Sequence, residues 1–145
     1  MKLFNNKHME LAIQEAQNCL ANLNEAPVGC VIVDNKTNEI LSISKNQTII
    51  NCDPTAHAEI LAIREACKKI KNHRLNNTSI FVTLEPCNMC LEAIKQARID
   101  NLYFGAYSNK KDLDNHKINI ISGFYEEECS NILKEFFKIK RLQAK

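Results

Sequence analysis

The sequence predicts an α/β protein, with a central mixed sheet of about five strands and helices on both faces. Apolar runs of strand length alternate with longer stretches of helical periodicity, and that alternation is the mark of a sheet covered by helices. The chain has 145 residues, 45% of them hydrophobic and 25% charged, which is ordinary globular composition with enough length for a proper core. Three Gly and three Pro leave little room for a flexible linker, so residues 1–145 read as a single domain.

Met9, Ala12, Ile13, Ala16 and Leu20 recur at helical spacing and predict a first helix that ends near Asn24, shortly before Pro27. The run from Val28 to Val33 is almost continuously apolar, as in a strand buried on both faces. A turn-rich stretch from Asp34 to Asn38 leads to a second strand from Ile40 to Ser44, making a hairpin that Asn46 closes by capping a turn. Pro54 and Thr55 lead into a helix with Ile60, Leu61, Ile63, Ala66, Cys67 and Ile70 as its apolar positions and Thr55 as N-cap. After a polar connection, the strand from Ser79 to Leu84 runs into Glu85-Pro86-Cys87. Another helix starts there, carrying Met89, Leu91, Ala93, Ile94 and Ala97; Pro86 suits such a start. A strand from Ile99 to Phe104 is ended by Gly105, and a surface loop extends from Ala106 to His116. Lys117 to Ile121 is a short edge strand. The final helix, Glu126 to Lys138, turns Cys129, Ile132, Leu133 and Phe136 to one side. Its acidic first turn and basic end suit the helix dipole.

The formal net charge of +2 does not by itself identify a nucleic-acid binder. The first residues contain no apolar signal core, and no uncharged run is long enough to span a membrane. The seven cysteines are an odd number. A reduced, cytoplasmic setting follows, in which paired cysteines bind metal or act in catalysis more often than they form disulfides. Cys19, Cys67 and Cys129 lie in helical patterns and read as small core residues.

Two short stretches carry the chemistry. Asp53-Pro54-Thr55-Ala56-His57-Ala58-Glu59 offers an imidazole and, two residues on, a carboxylate; Leu84-Glu85-Pro86-Cys87-Asn88-Met89-Cys90 offers two thiols. One His and two Cys fill three tetrahedral positions on zinc and leave the fourth open, as a catalytic site requires. Zinc held in that way acidifies a water to near neutrality. A carboxylate that is not a ligand then moves protons from the water to a ring nitrogen and to a departing amine. Cys87 and Cys90, at i and i+3, share a helical face. His57 and Glu59, at i and i+2, point apart, so Glu59 must reach a pocket beside the metal. Both stretches open helices, whose N-termini favour thiolates. A lone C-x-x-C also occurs in structural zinc sites and redox motifs, and Cys52 as a fourth ligand would close the site. The full pattern H-x-E…P-C-x-x-C is the recognised signature of zinc nucleobase deaminases.

On these residues the chain resembles the cytidine deaminase superfamily, and within it the bacterial tRNA-specific adenosine deaminases. The resemblance covers nearly the whole length. It rests on Pro27-Val28-Gly29, Asn46, the stretch from Asp53 to Ile60, the stretch from Thr83 to Cys90, Phe104-Gly105-Ala106, and the end from Phe136 to Arg141. It implies a three-layer α/β/α cytidine-deaminase-like fold and a homodimer with active sites near the interface. The implied substrate is the wobble-position adenosine of a tRNA anticodon stem-loop, converted to inosine. One zinc per subunit would be held by His57, Cys87 and Cys90, with Glu59 shuttling protons. Asn46, the backbone of Ala58, and Pro86 would meet the flipped base, and Phe137, Lys138 and Arg141 would meet the RNA. A basic helix end beside an aromatic suits phosphate contact and stacking; a core Phe pair with a solvated tail is the other reading. The chain departs from the family after Gly105-Ala106. There Tyr107-Ser108-Asn109-Lys110-Lys111-Asp112-Leu113 stands in place of an Arg-Asp pair and a Lys-Thr-Gly-rich segment. That segment borders the substrate in the family, so deamination of a free nucleobase or nucleoside, of guanine or cytosine type, is the alternative.

Overall fold

A computed structural model describes residues 2–21, 24–108 and 118–144. Its elements are α1 (Lys2–Ala21), β1 (Gly29–Asp34), β2 (Ile40–Lys45), α2 (Ala58–Ile70), β3 (Thr78–Leu84), α3 (Asn88–Gln96), β4 (Asn101–Ala106), β5 (Asn119–Ile121) and α4 (Glu126–Gln143). The strands form one sheet in the order β2-β1-β3-β4-β5. β1 pairs antiparallel with both β2 and β3, whereas β3–β4 and β4–β5 are parallel. The mixed sheet and its two helical layers agree with the architecture read from sequence.

The alternation along β1 divides the core in two. Cys30 and Ile32, with Ile80 and Val82 of β3, pack under α2 and α3 against Ala58, Ala62, Ala66, Leu91 and Ile94. Val31 and Val33, with Phe81, face the other way onto Met9 and Ala12 of α1 and Cys129 of α4. Both sides of β1 and β3 are therefore buried, which explains their near-continuous apolar runs. Phe81 stacks on Tyr103 at 4.4 Å between ring centroids.

Gly29 lets α1 lie directly on the sheet. A Cβ built there would stand 1.9 Å from the Ala12 carbonyl oxygen and 2.8 Å from the Ala16 nitrogen, both main-chain atoms that no rotamer change can move. Gly29→Ala is therefore expected to cost about 3 kcal/mol or more, the upper range for overpacking. A thermal melt should show Tm lower by about 10 °C, with α1 displaced from β1.

Three local expectations are corrected. Thr55 is not the N-cap of α2, since His57 occupies that position. The Thr55 amide and hydroxyl instead donate to Asp53 Oδ1 at 2.9 and 2.7 Å, a turn that Asp forms readily. Gly105 does not end β4 but lies within it. It is small because Cys129 packs over it, a Cβ there falling 2.3 Å from the Cys129 sulfur. The last helix continues past Lys138 to Gln143. Most of the predicted surface loop, residues 109–116, and the first residue of the predicted edge strand, Lys117, lie outside the described residues; beyond them β5 supplies the edge strand. Cys19 and Cys129 are buried, as read from sequence, while Cys67 is only partly covered. None of the described helices is long and apolar enough to cross a membrane.

Candidate functional site

The site forms where two helices begin. The N-cap of α2 is His57 (φ −68°, ψ 153°) and that of α3 is Cys87 (φ −71°, ψ 172°). Both are extended, and neither side chain bonds its own helix. The two side chains are thus free to converge. His57 Nδ1 lies 3.7 Å from Cys87 Sγ and 3.4 Å from Cys90 Sγ. Because His57 precedes the helix, the helical i, i+2 divergence from Glu59 does not govern its direction.

The donor set fits zinc. The three ligand atoms lie within 4.8 Å of one another, and no other His, Cys, Asp or Glu joins them among the described residues. Tetrahedral ligation at usual bond lengths separates an N from an S ligand by roughly 3.6 Å, close to the two distances found. Three protein ligands leave an open position, as a catalytic site does and a closed structural site does not. Cys52 is exposed and outside this cluster.

Glu59, in the first turn of α2, is 4% exposed, and burial pushes its carboxyl up to about 7 against the pull of its own backbone N–H and, after that, of a contact with Cys90. Burial, followed by the charges of Glu59 and Cys87, pushes the Cys90 thiol well above the ordinary thiol range. A divalent cation among the three donors favours the ionised forms of the thiols and of the nearby acid.

Asn46 caps a helix rather than the turn read from sequence. Its Oδ1 accepts the Ala58 N–H at 2.8 Å, capping α2 from outside the helix, and its Nδ2 donates to the Ala26 carbonyl at 3.2 Å. It also lines a cleft of about 410 Å³ with His57, Glu59, Cys87, Thr48, Glu85 and Ser108. That volume is in the ordinary range for ligand sites, roughly 300–1,000 Å³. Two larger hollows along β2 and α2, about 540 and 480 Å³, are lined by no His or Cys. Pro86 is buried and does not line the cleft. Phe136 and Phe137 are divided between interior and surface. Phe136 is buried, with Lys140 5.9 Å above its ring, while Phe137 is 53% exposed beside exposed Lys138 and Arg141. These three exposed residues are outside the cleft lining.

Two polar lining residues, Thr48 and Glu85, escaped the sequence reading, whereas Ser108 belongs to the segment that the resemblance places beside the substrate. Thr48 is carried by a turn that Glu25, itself buried, holds from beneath. The Glu25 carboxylate accepts the Ile49 and Ile50 amides at 2.9 Å each and the Thr48 hydroxyl at 3.2 Å. Glu85 had a visible signal, an acid at the end of an apolar strand and directly before Pro86-Cys87.

Residues 3–106 match the family model of the cytidine and deoxycytidylate deaminase zinc-binding region. The tRNA-specific adenosine deaminase of Haemophilus influenzae is 42% identical over 154 residues, covering 98% of this chain and 88% of that protein. A structure solved in studies of A-to-I editing by tRNA:A34 deaminases at the wobble position of transfer RNA superposes with a TM-score of 0.79. It is 37% identical and covers 88% of this chain and 99% of that one. A guanine deaminase from Nitrosomonas europaea superposes with a TM-score of 0.80 at 18% identity, covering 90% and 83%, a likeness of fold alone.

Proposed function

The chain belongs to the cytidine and deoxycytidylate deaminase family, and from that premise we propose that it is a zinc-dependent hydrolase converting the wobble-position adenosine of a tRNA anticodon to inosine with release of ammonia. The observation that carries the chemistry is the meeting of His57, Cys87 and Cys90 at the edge of a cleft that His57, Cys87 and buried Glu59 line. The tRNA substrate is supported by similarity over almost the full length to a tRNA-specific adenosine deaminase.

His57, Cys87 and Cys90 would hold one zinc per subunit, and zinc so bound supplies a water acidified to near neutrality. Glu59 accepts the water proton on its carboxylate, delivers it to the ring nitrogen next to the amino-bearing carbon, and helps protonate the departing amine. Its burial keeps bulk water from competing for that proton. Asn46 holds the base. With one Oδ1 lone pair and one Nδ2 hydrogen already engaged, it retains one acceptor site and one donor for an incoming base edge. The Ala58 amide anchors the Asn46 side chain, and the Ala58 backbone stands with it where the base edge would enter. Pro86, buried directly before Cys87, fixes the backbone that leads into the two sulfur ligands. Phe137, Lys138 and Arg141 form a separate exposed stretch suited to stacking and phosphate contact. The protein acts as a single deaminase domain in the cytoplasm and as a homodimer, for which exposed Ile49 and Ile50 beside Thr48 offer apolar surface.

The zinc-loaded protein should form inosine in an anticodon stem-loop with adenosine at the wobble position. It should release no ammonia from free guanine, cytosine or their nucleosides. Turnover of a free base or nucleoside without inosine in the RNA would assign the alternative substrate class.

A further inference from the structure

We propose that Glu85 is a positioning residue that sets the substrate-cleft wall formed by Ser108; the assignment of that wall to substrate rests on the function proposed above. β3 and β4 run parallel, and their last paired residues are Leu84 and Ala106. One further rung follows, the Glu85 amide donating to the Ala106 carbonyl at 2.8 Å. Pro86 comes next and has no N–H, so the main chain of β3 supplies no further donor. There the two segments part, one toward Cys87 and the zinc ligands and the other toward Ser108.

The Glu85 side chain bridges the gap. It is 4% exposed, yet its Oε1 accepts the Ser108 amide at 3.0 Å and lies 3.4 Å from the Ser108 hydroxyl. Ser108 itself is exposed. A buried carboxylate therefore holds an exposed residue from below. Both residues line the cleft that contains Asn46, His57 and Glu59. Glu85 thus ties the segment leading to the cysteines to Ser108, which lines the cleft beyond the end of β4. It acts on substrate through Ser108, and its loss should loosen substrate fit while sparing the bond-breaking groups.

The test uses the zinc enzyme and the stem-loop substrate. Glu85→Ala should raise KM about tenfold, the value of one hydrogen bond to a charged group, with kcat within about twofold and zinc content unchanged. Glu85→Gln, which keeps an acceptor oxygen, should recover most of the loss. Ser108→Pro, which removes the amide donor and leaves Glu85 in place, should reproduce the KM change and covers the case in which Glu85→Ala does not fold. An unchanged KM in Ser108→Pro, or a Glu85→Ala enzyme with lowered kcat at constant KM or with lost zinc, overturns the proposal. Hydrogen exchange at the Ser108 amide separates this outcome from failure of the functional reading. If the wild-type protein does not deaminate the RNA, exchange at least tenfold faster in Glu85→Ala still supports the clamp, and equal exchange refutes it.

Discussion

Glu59→Gln should slow adenosine deamination by about 10⁴-fold, the upper end for a single acid–base group, while leaving zinc content and Tm unchanged. The upper end applies because one carboxyl serves each proton transfer. It is buried inside the cleft, where solvent cannot easily replace it. Glutamine keeps the shape and the packing but holds no exchangeable charge. Inosine formation and bound zinc measured on the same sample check the result. Activity within tenfold of wild type, with zinc retained, would remove Glu59 from the proton-shuttle role.

Stripping the metal should abolish turnover without unfolding the protein. None of His57, Cys87 and Cys90 is counted in either hydrophobic cluster, and the two clusters cover both faces of β1 and β3 without them. The fold therefore stands on apolar burial, unlike a zinc finger, whose folding energy comes from the ion. A strong chelator should leave the far-ultraviolet circular dichroism nearly intact and lower Tm by the lost binding free energy alone. Restored zinc should restore activity. Cys90→Ala should weaken zinc binding by more than about 100-fold, since even partners one shell out are worth 10–100-fold. Collapse of the helical signal on chelation would show that the ion is part of the fold.

Much of this was legible in the sequence because the signals are local. The 3.6-residue spacing of Met9, Ala12 and Ala16, the apolar runs of β1 and β3, and the motif around His57 and Cys87 are all contained in short windows. What escaped depends on partners far along the chain. Thr55 has the right chemistry for an N-cap, but Asp53 captures it, and the amide at the start of α2 is satisfied by Asn46, twelve residues earlier. Gly105 reads as a strand end until Cys129 is seen against it. Nothing in the neighbouring sequence names the partners of Glu25 and Glu85. Each is buried because it accepts main-chain amides of segments more than twenty residues away. The exposure of Phe137 beside buried Phe136 follows from the phase of α4, and an aromatic pair alone does not reveal which member faces inward.

The strand order also bears on how the protein emerges during synthesis. α1, β1 and β2 are consecutive in sequence and adjacent in space, so they can associate once Lys45 has left the ribosome. β3 then joins β1 on its open side, but it gains its other neighbour only after α3 and β4 have been made. The imidazole donor is therefore translated about thirty residues before the sulfurs it must meet. Metal capture is a late event for the nascent chain, and a polypeptide interrupted before Cys87 presents His57 and Glu59 with no reactive centre.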